Sequence, residues 1–155
     1  MVAALSLDTN VLVDMLRAQS PVVRQRYDDA YLAGVPMVLS AVAVHELASG
    51  AAAVGASLRQ RVLLDQMLAD LTVVEFTLED AERSGILNAR LKSSGLPIGD
   101  IDTLIAGQAL ARGWTVVTRN VRHFGRVVGL PLIDWTVGSE PLSSEVIAGR
   151  LKAPE

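Results

Sequence analysis

Residues 3–16, AALSLDTNVLVDML, change character halfway along. Ala3 to Leu7 is a short apolar run of the kind that forms a strand buried on both faces. Asp8-Thr9-Asn10 follows with turn and cap residues, and Asn10 is placed to cap a helix beginning at Val11. The junction leaves Asp8 at the carboxyl end of a strand.

The same alternation continues outward from this unit. Ser20-Pro21 reopens a helical pattern to about Tyr31–Gly34, Met37–Leu39 is a second strand, and Ser40 caps a helix carrying Val44, Leu47 and Ala48. A turn at residues 55–57 leads to a helix over Leu58–Leu68, then a β-branched strand over Thr72–Phe76. Thr77, with Asp80 three residues on, opens a helix to about Ser93. After the loop Leu96-Pro97-Ile98-Gly99, the stripe Ile101, Leu104, Ile105 and Ala109 marks a helix ending near Gly113. Thr115–Thr118 and Leu132–Asp134 are the last strands, and the tail from Pro141 has helical spacing at Val146, Ile147 and Leu151. Strands alternating with helices predict an α/β domain with a mostly parallel sheet covered on both faces, and such sheets bind ligands outside the carboxyl ends of their strands.

Composition narrows the function. With 155 residues, half of them hydrophobic, the chain suits one domain with one core. The 14 basic against 17 acidic residues give a net charge of −3, which argues against coating nucleic acid by bulk electrostatics but leaves room for a local basic rim. There is no cysteine, hence no disulfide, thiolate metal site or thiol nucleophile. MVAALSLDTN has no basic leader and too short an apolar run for a signal peptide or membrane span, so the expected location is cytoplasmic.

Three carboxylates fall at strand or helix ends facing one rim: Asp8, Glu46 and Asp102. Each alone has an ordinary reading, Asp8 as a turn residue or cap, and Glu46 and Asp102 as acids favoured near a helix start. Converging, they repel one another unless a cation sits among them, and a few carboxylates completed by water and phosphate oxygens suit Mg²⁺ or Mn²⁺. Such an ion activates water and neutralises charge in phosphodiester hydrolysis.

Four strings, LSLDTNVLVDML (5–16), VHELASG (44–50), LPIGDIDTLIAGQAL (96–110) and VVTRNVRHFGRVVGLPLIDW (116–135), resemble in order and separation the signatures of the VapC-like PIN-domain toxins. The resemblance implies a three-layer α/β/α sandwich over residues 1–135, with 136–155 as a C-terminal extension packed on the same domain. It also implies a Mg²⁺-dependent (or Mn²⁺-dependent) endoribonuclease, the toxin of a toxin–antitoxin pair, with an antitoxin partner, a VapB-like protein, and self-association into a homodimer. Asp8, Glu46 and Asp102 match the family's metal-binding and catalytic acids. Helices over Val11–Tyr31 and Leu58–Leu68 are expected to form a groove for an antitoxin segment whose basic side chain blocks the acidic site.

Secondary positions keep two readings each. Asn120, where the family has a polar or acidic residue, is a turn residue or an amide ligand; its neutrality weakens a second metal site. Asp100 is a helix cap or first-turn residue, or an auxiliary ligand if it precedes the helix, because residues two apart in a helix point about 200° apart. Thr118 completes these candidates. His123 is a surface or capping group or a phosphate contact, and Asp14 is expected to be solvated or paired within its helix. Arg119, Arg122 and Arg126 are loop arginines or RNA-backbone contacts. The rival readings are a catalytically silent PIN-like interaction module, a PIN nuclease acting on DNA, and a phosphate-accepting receiver domain; the last needs a lysine near its final strand, where neither Lys92 nor Lys152 lies. His45-Glu46 is no zinc-protease helix, since Ser49 stands where its second histidine belongs.

Overall fold

The computed structural model describes residues 3–55 and 57–154; Met1 and Val2, at the start of the expected 1–135 domain, and Ala56, in the expected 55–57 turn, lie outside them. The elements follow the expected alternation: β1 (Leu5–Leu7), α1 (Thr9–Leu16), α2 (Pro21–Leu32), β2 (Met37–Ser40), α3 (Ala41–Val54), α4 (Leu58–Asp70) and β3 (Thr72–Val74). They continue with α5 (Leu78–Ser93), α6 (Asp100–Arg112), β4 (Thr115–Val117), α7 (Val121–Phe124), β5 (Leu132–Ile133) and α8 (Ser144–Lys152). α7 was not foreseen, since four residues leave no periodicity to read. Among the described residues no helix is long and apolar enough to cross a membrane.

The five strands form one sheet in the order β3-β2-β1-β4-β5, and all four pairings are parallel. Helices cover it in an α/β/α sandwich. β1 and β4 are buried at every residue, as befits strands enclosed between helical layers. The chain runs β1–β2–β3 towards one edge and then crosses to β4–β5 on the other side, so the direction of winding reverses between β1 and β4. That switch point opens a crevice at the strands' carboxyl ends. Leu7 is in register with Val117, which sets Asp8 beside Thr118.

Local chemistry explains the element boundaries. Asp8, not Asn10, caps α1: its extended backbone (φ −73°, ψ 149°) still belongs to the strand, its N–H donates to Val117 O at 2.9 Å, and its carboxylate accepts from Thr9 N at 2.8 Å. The turn expected between strand and helix is thereby eliminated. Ser40, Ser57 and Thr77 cap α3, α4 and α5, the last two through reciprocal capping boxes with Gln60 and Asp80.

α6, which carries Asp102, is located by α5. Asp80, on α5 and almost wholly buried, accepts from Arg112 through Nε (3.1 Å) and Nη2 (2.8 Å) and from Gln108 Nε2 at 2.9 Å. The Arg112 guanidinium holds the Asp80 carboxyl well below the usual carboxylate range. Nearby, Gly107 allows the helices to touch: a Cβ there would stand 2.5 Å from Ser84 Cβ and 2.6 Å from Ser84 Cα. Because Ser84 opposes it with backbone and Cβ, neither helix can yield by a simple side-chain rotation. Gly107→Ala is expected to destabilise the fold by about 2–3 kcal/mol through overpacking, read as a lower midpoint in urea; an unchanged midpoint would mean that the two helices are not locked at this contact.

Candidate active site

The crevice at the switch point gathers all three acids picked out from the sequence. Asp8 leaves β1 buried, with only 4% of its surface exposed. Thr118, fully buried at the end of β4, donates its hydroxyl to Asp8 Oδ2 at 2.7 Å and accepts from Asn120 N at 2.9 Å. Glu46, in the second turn of α3, accepts from Thr9 Oγ1 at 2.6 Å. Asp102, in the first turn of α6, accepts from Asn120 Nδ2 at 3.4 Å and has His123 Nδ1 at 2.8 Å from its Oδ2. A threonine on either side of the switch point thus fixes one carboxylate, and the β4–α7 connection fixes the third.

Thr9 and His123 are contacts that sequence reasoning did not assign. Thr9 was passed over as a turn residue, although its place between Asp8 and the helix interior aims its hydroxyl across to α3. His123 had been weighed as a surface, capping or phosphate-binding group, and it does keep 42% of its side chain exposed while its ring approaches Asp102. Asp100 is the exposed first residue of α6 behind Gly99, and it faces a cleft lined by Ala81, Ser84, Asn88 and Leu104, with Asp102 turned the other way.

Asp14 corrects an expectation. It is not solvated and has no partner within its helix, but is buried on α1 with Oδ2 at 3.0 Å from Arg119 Nη1. The tertiary structure brings an arginine from 105 positions away, which helix periodicity cannot foretell. Arg119 keeps about half of its side chain in solvent, Arg126 donates to Pro97 O at 2.8 Å, and Arg122 is half-buried beside them.

Electrostatics set Asp8 apart. Burial pushes its carboxyl up; the Thr118 hydroxyl works against this, and the neighbouring charges of Asp102 and Glu46 add to it, for a net rise from 3.8 to about 6. A buried acid raised by two nearby acids is a site short of positive charge. Among the described residues no three acidic or histidine side chains stand close enough to hold a metal ion by themselves. The donors are nevertheless hard oxygens throughout, and an ion that keeps several water ligands and takes one or two carboxylates suits this arrangement.

An all-parallel α/β/α domain with acids converging at its switch point fits a PIN domain, and the chain belongs to that family: the PIN domain model matches residues 5–130. Within the family it sits among the VapC ribonucleases. It is 32% identical over 129 residues to the tRNA(fMet)-specific endonuclease VapC of Salmonella typhimurium, an alignment covering 83% of this chain and 96% of that one. The crystal structure of DNA-bound VapBC from Salmonella typhimurium superposes with a TM-score of 0.78 at 30% identity, over 87% of this chain and 99% of its own. VapBC2 from Rickettsia felis, bound to a DNA fragment from its promoter, gives 0.79 at 26% identity, over 85% and 98%.

The raised Asp8 also has a signed consequence for stability. Because its folded value stands above the unfolded one, this carboxyl's contribution to stability is complete below pH 3.8 and is lost as pH rises through about 6. In EDTA at pH 7.5, Asp8→Asn removes the buried repelling charge and is expected to stabilise the protein by on the order of 2 kcal/mol, raising Tm by roughly 4–8 °C. At pH 4 the gain shrinks. Thermal melts at both pH values check this, and a lower Tm for the variant at pH 7.5 contradicts it.

Proposed function

We propose that this chain is a metal-dependent endoribonuclease, the toxin of a toxin–antitoxin pair, with Asp8, Glu46 and Asp102 holding Mg²⁺ or Mn²⁺ and carrying the chemistry. The observation that supports this most directly is Asp8, raised by its burial and further by two acids beside it at the switch point of a PIN domain. The chemistry a bound divalent ion supplies there is a lowered pKa for coordinated water and compensation of phosphoryl charge.

The chain's own groups have definite tasks in this reading. The Thr118 and Thr9 hydroxyls donate to Asp8 and Glu46, holding both carboxylates in place at the crevice. Glu46 has a second oxygen that no hydrogen bond occupies among the described residues, and with it orients or deprotonates the attacking water. Asn120 donates to Asp102 through its amide nitrogen, leaving its carbonyl oxygen as an outward acceptor. Thr118 and Asn120 are therefore auxiliary groups of the site, whereas the exposed Asp100 is left as a dipole-favoured residue of the first turn of α6. Arg119, Arg122 and Arg126, on the segment around α7, compensate the RNA backbone that the net charge cannot. Single-stranded loops are the accessible substrates, since a phosphate must reach an acidic crevice with few aromatics around it for stacking.

Residues 1–135 form the nuclease body in this reading, residues 136–155 are appended to it, and the pair acts in the cytoplasm. The antitoxin's seat is the cleft of about 160 Å³ between α1, α3 and α4, with Val13, Leu16, Leu47 and Leu64 as its apolar floor. Glu46 and Arg61 lie on its wall, so an apolar segment seated there sets a basic side chain against the acids. Self-association into a homodimer belongs to the same reading.

The test is cleavage of a pool of structured RNAs, with a single-stranded DNA arm, by wild type and Asp8→Asn in Mg²⁺, Mn²⁺ and EDTA. RNA cleavage that needs the metal and falls at least about 100-fold in the variant is the expected result. Full activity in Asp8→Asn would overturn the site, cleavage of DNA alone would overturn the substrate, and no cleavage under any condition would make the domain an interaction module.

A further inference from the structure

The family match ends at residue 130, and α8 lies wholly beyond it. None of the helix's own residues is buried, yet it and the segment leading into it are fastened to the body at three places. Leu142 N donates to Leu132 O at 2.8 Å, stitching the approach to α8 onto the edge strand β5. Arg150 Nη1 donates to Oδ2 of the buried Asp134 at 2.5 Å, while Asp134 Oδ1 accepts from the Thr136 N–H and hydroxyl. Ile147 and Leu151 lie against Gly125, where a Cβ would stand 2.4 Å from Val121 O of its own turn, 2.9 Å from Ile147 Cγ2 and 3.5 Å from Leu151 Cδ2.

Gly125 is the residue that ends α7, and α7 is the element most in need of support. It has four residues, a single turn, and cannot persist without packing. Val121 and Phe124 root it in the core on one side, and α8 closes on it from outside. Asn120 just before α7, and His123 within it, both approach Asp102.

We propose that α8 is a strut that sets the position of α7 and, through His123 and Asn120, the orientation of Asp102, making Ile147, Arg150 and Leu151 positioning residues for the reaction. The proposal rests on the nuclease reading for its catalytic consequence, but its structural content stands apart from it. A helix that only covered surface would not need to carry a cation to a buried carboxylate beside the element it packs on.

The experiment compares full-length wild type with Ile147→Ala/Leu151→Ala, Arg150→Gln and Arg150→Lys. The chain has two histidines, His45 on α3 and His123 on α7, so their ring resonances are easily told apart. At fixed pH the His123 signals are expected to move in the double variant and in Arg150→Gln while those of His45 stay. RNA cleavage is expected to fall about 10-fold in kcat, the scale of a small misplacement of a reacting group, with KM unchanged, and Arg150→Lys should recover most of it. A lower Tm with unchanged His123 signals and unchanged kcat would overturn the proposal and leave α8 as a stabilising cover. Should the double variant not fold, Arg150→Gln against Arg150→Lys decides. Should the wild type cut no RNA, the nuclease reading fails by itself, and the His123 signals still decide whether α8 positions α7.

Discussion

The parallel pairing of β1 with β4 is the constraint on which everything functional depends. Leu7 opposite Val117 puts two strand ends level, so the next residue of each, Asp8 and Thr118, meet as carboxylate and hydroxyl. A slip of one residue in either strand would turn that strand's side chains to the other face of the sheet and part the pair. Both strands are buried throughout, so their pairing is made inside the core. The hydrophobic core thereby enforces the geometry of a polar site at its rim.

Three buried aspartates show how differently the fold treats the same group. Asp80 is gripped by Arg112, and its carboxyl lies below the ordinary range. At Asp134, burial works to raise the carboxyl, but the Thr136 hydroxyl and Arg150 outweigh it and the value falls. Asp8 receives only a hydroxyl and a backbone N–H, with two acids for neighbours, and rises. The first two hold helices in place and carry their counter-charge with them. The third is left without one at the mouth of the crevice, which is the physical difference between it and the two that are paired.

The strands and long helices were legible because their signals are local: apolar runs, helical stripes, and serine or threonine caps at positions 40, 57 and 77. The convergence of Asp8, Glu46 and Asp102 was legible because each stands at or within two turns of the end of such an element. What escaped the reading was set by tertiary contact. Asn10 was the better cap on paper, but the N–H of Asp8 is tied to the neighbouring strand, so the helix starts earlier and the Asn10 Oδ1 is left buried without a partner. Asp14 was read as solvated or paired within its helix because its partner arginine is remote in sequence, and α7 went unseen because one helical turn has no period.

The bond from Thr118 to Asp8 spans 110 positions. A chain emerging from a ribosome therefore displays Asp8, α1 and the Glu46 helix long before β4 exists to pair with β1. α7 comes out later still, and α8 last. Long-range parallel pairing is also the slowest kind of contact to close. An incomplete copy of this chain has its first carboxylate without its hydroxyl or its register, so the order of translation acts as a delay on assembly of the acidic crevice.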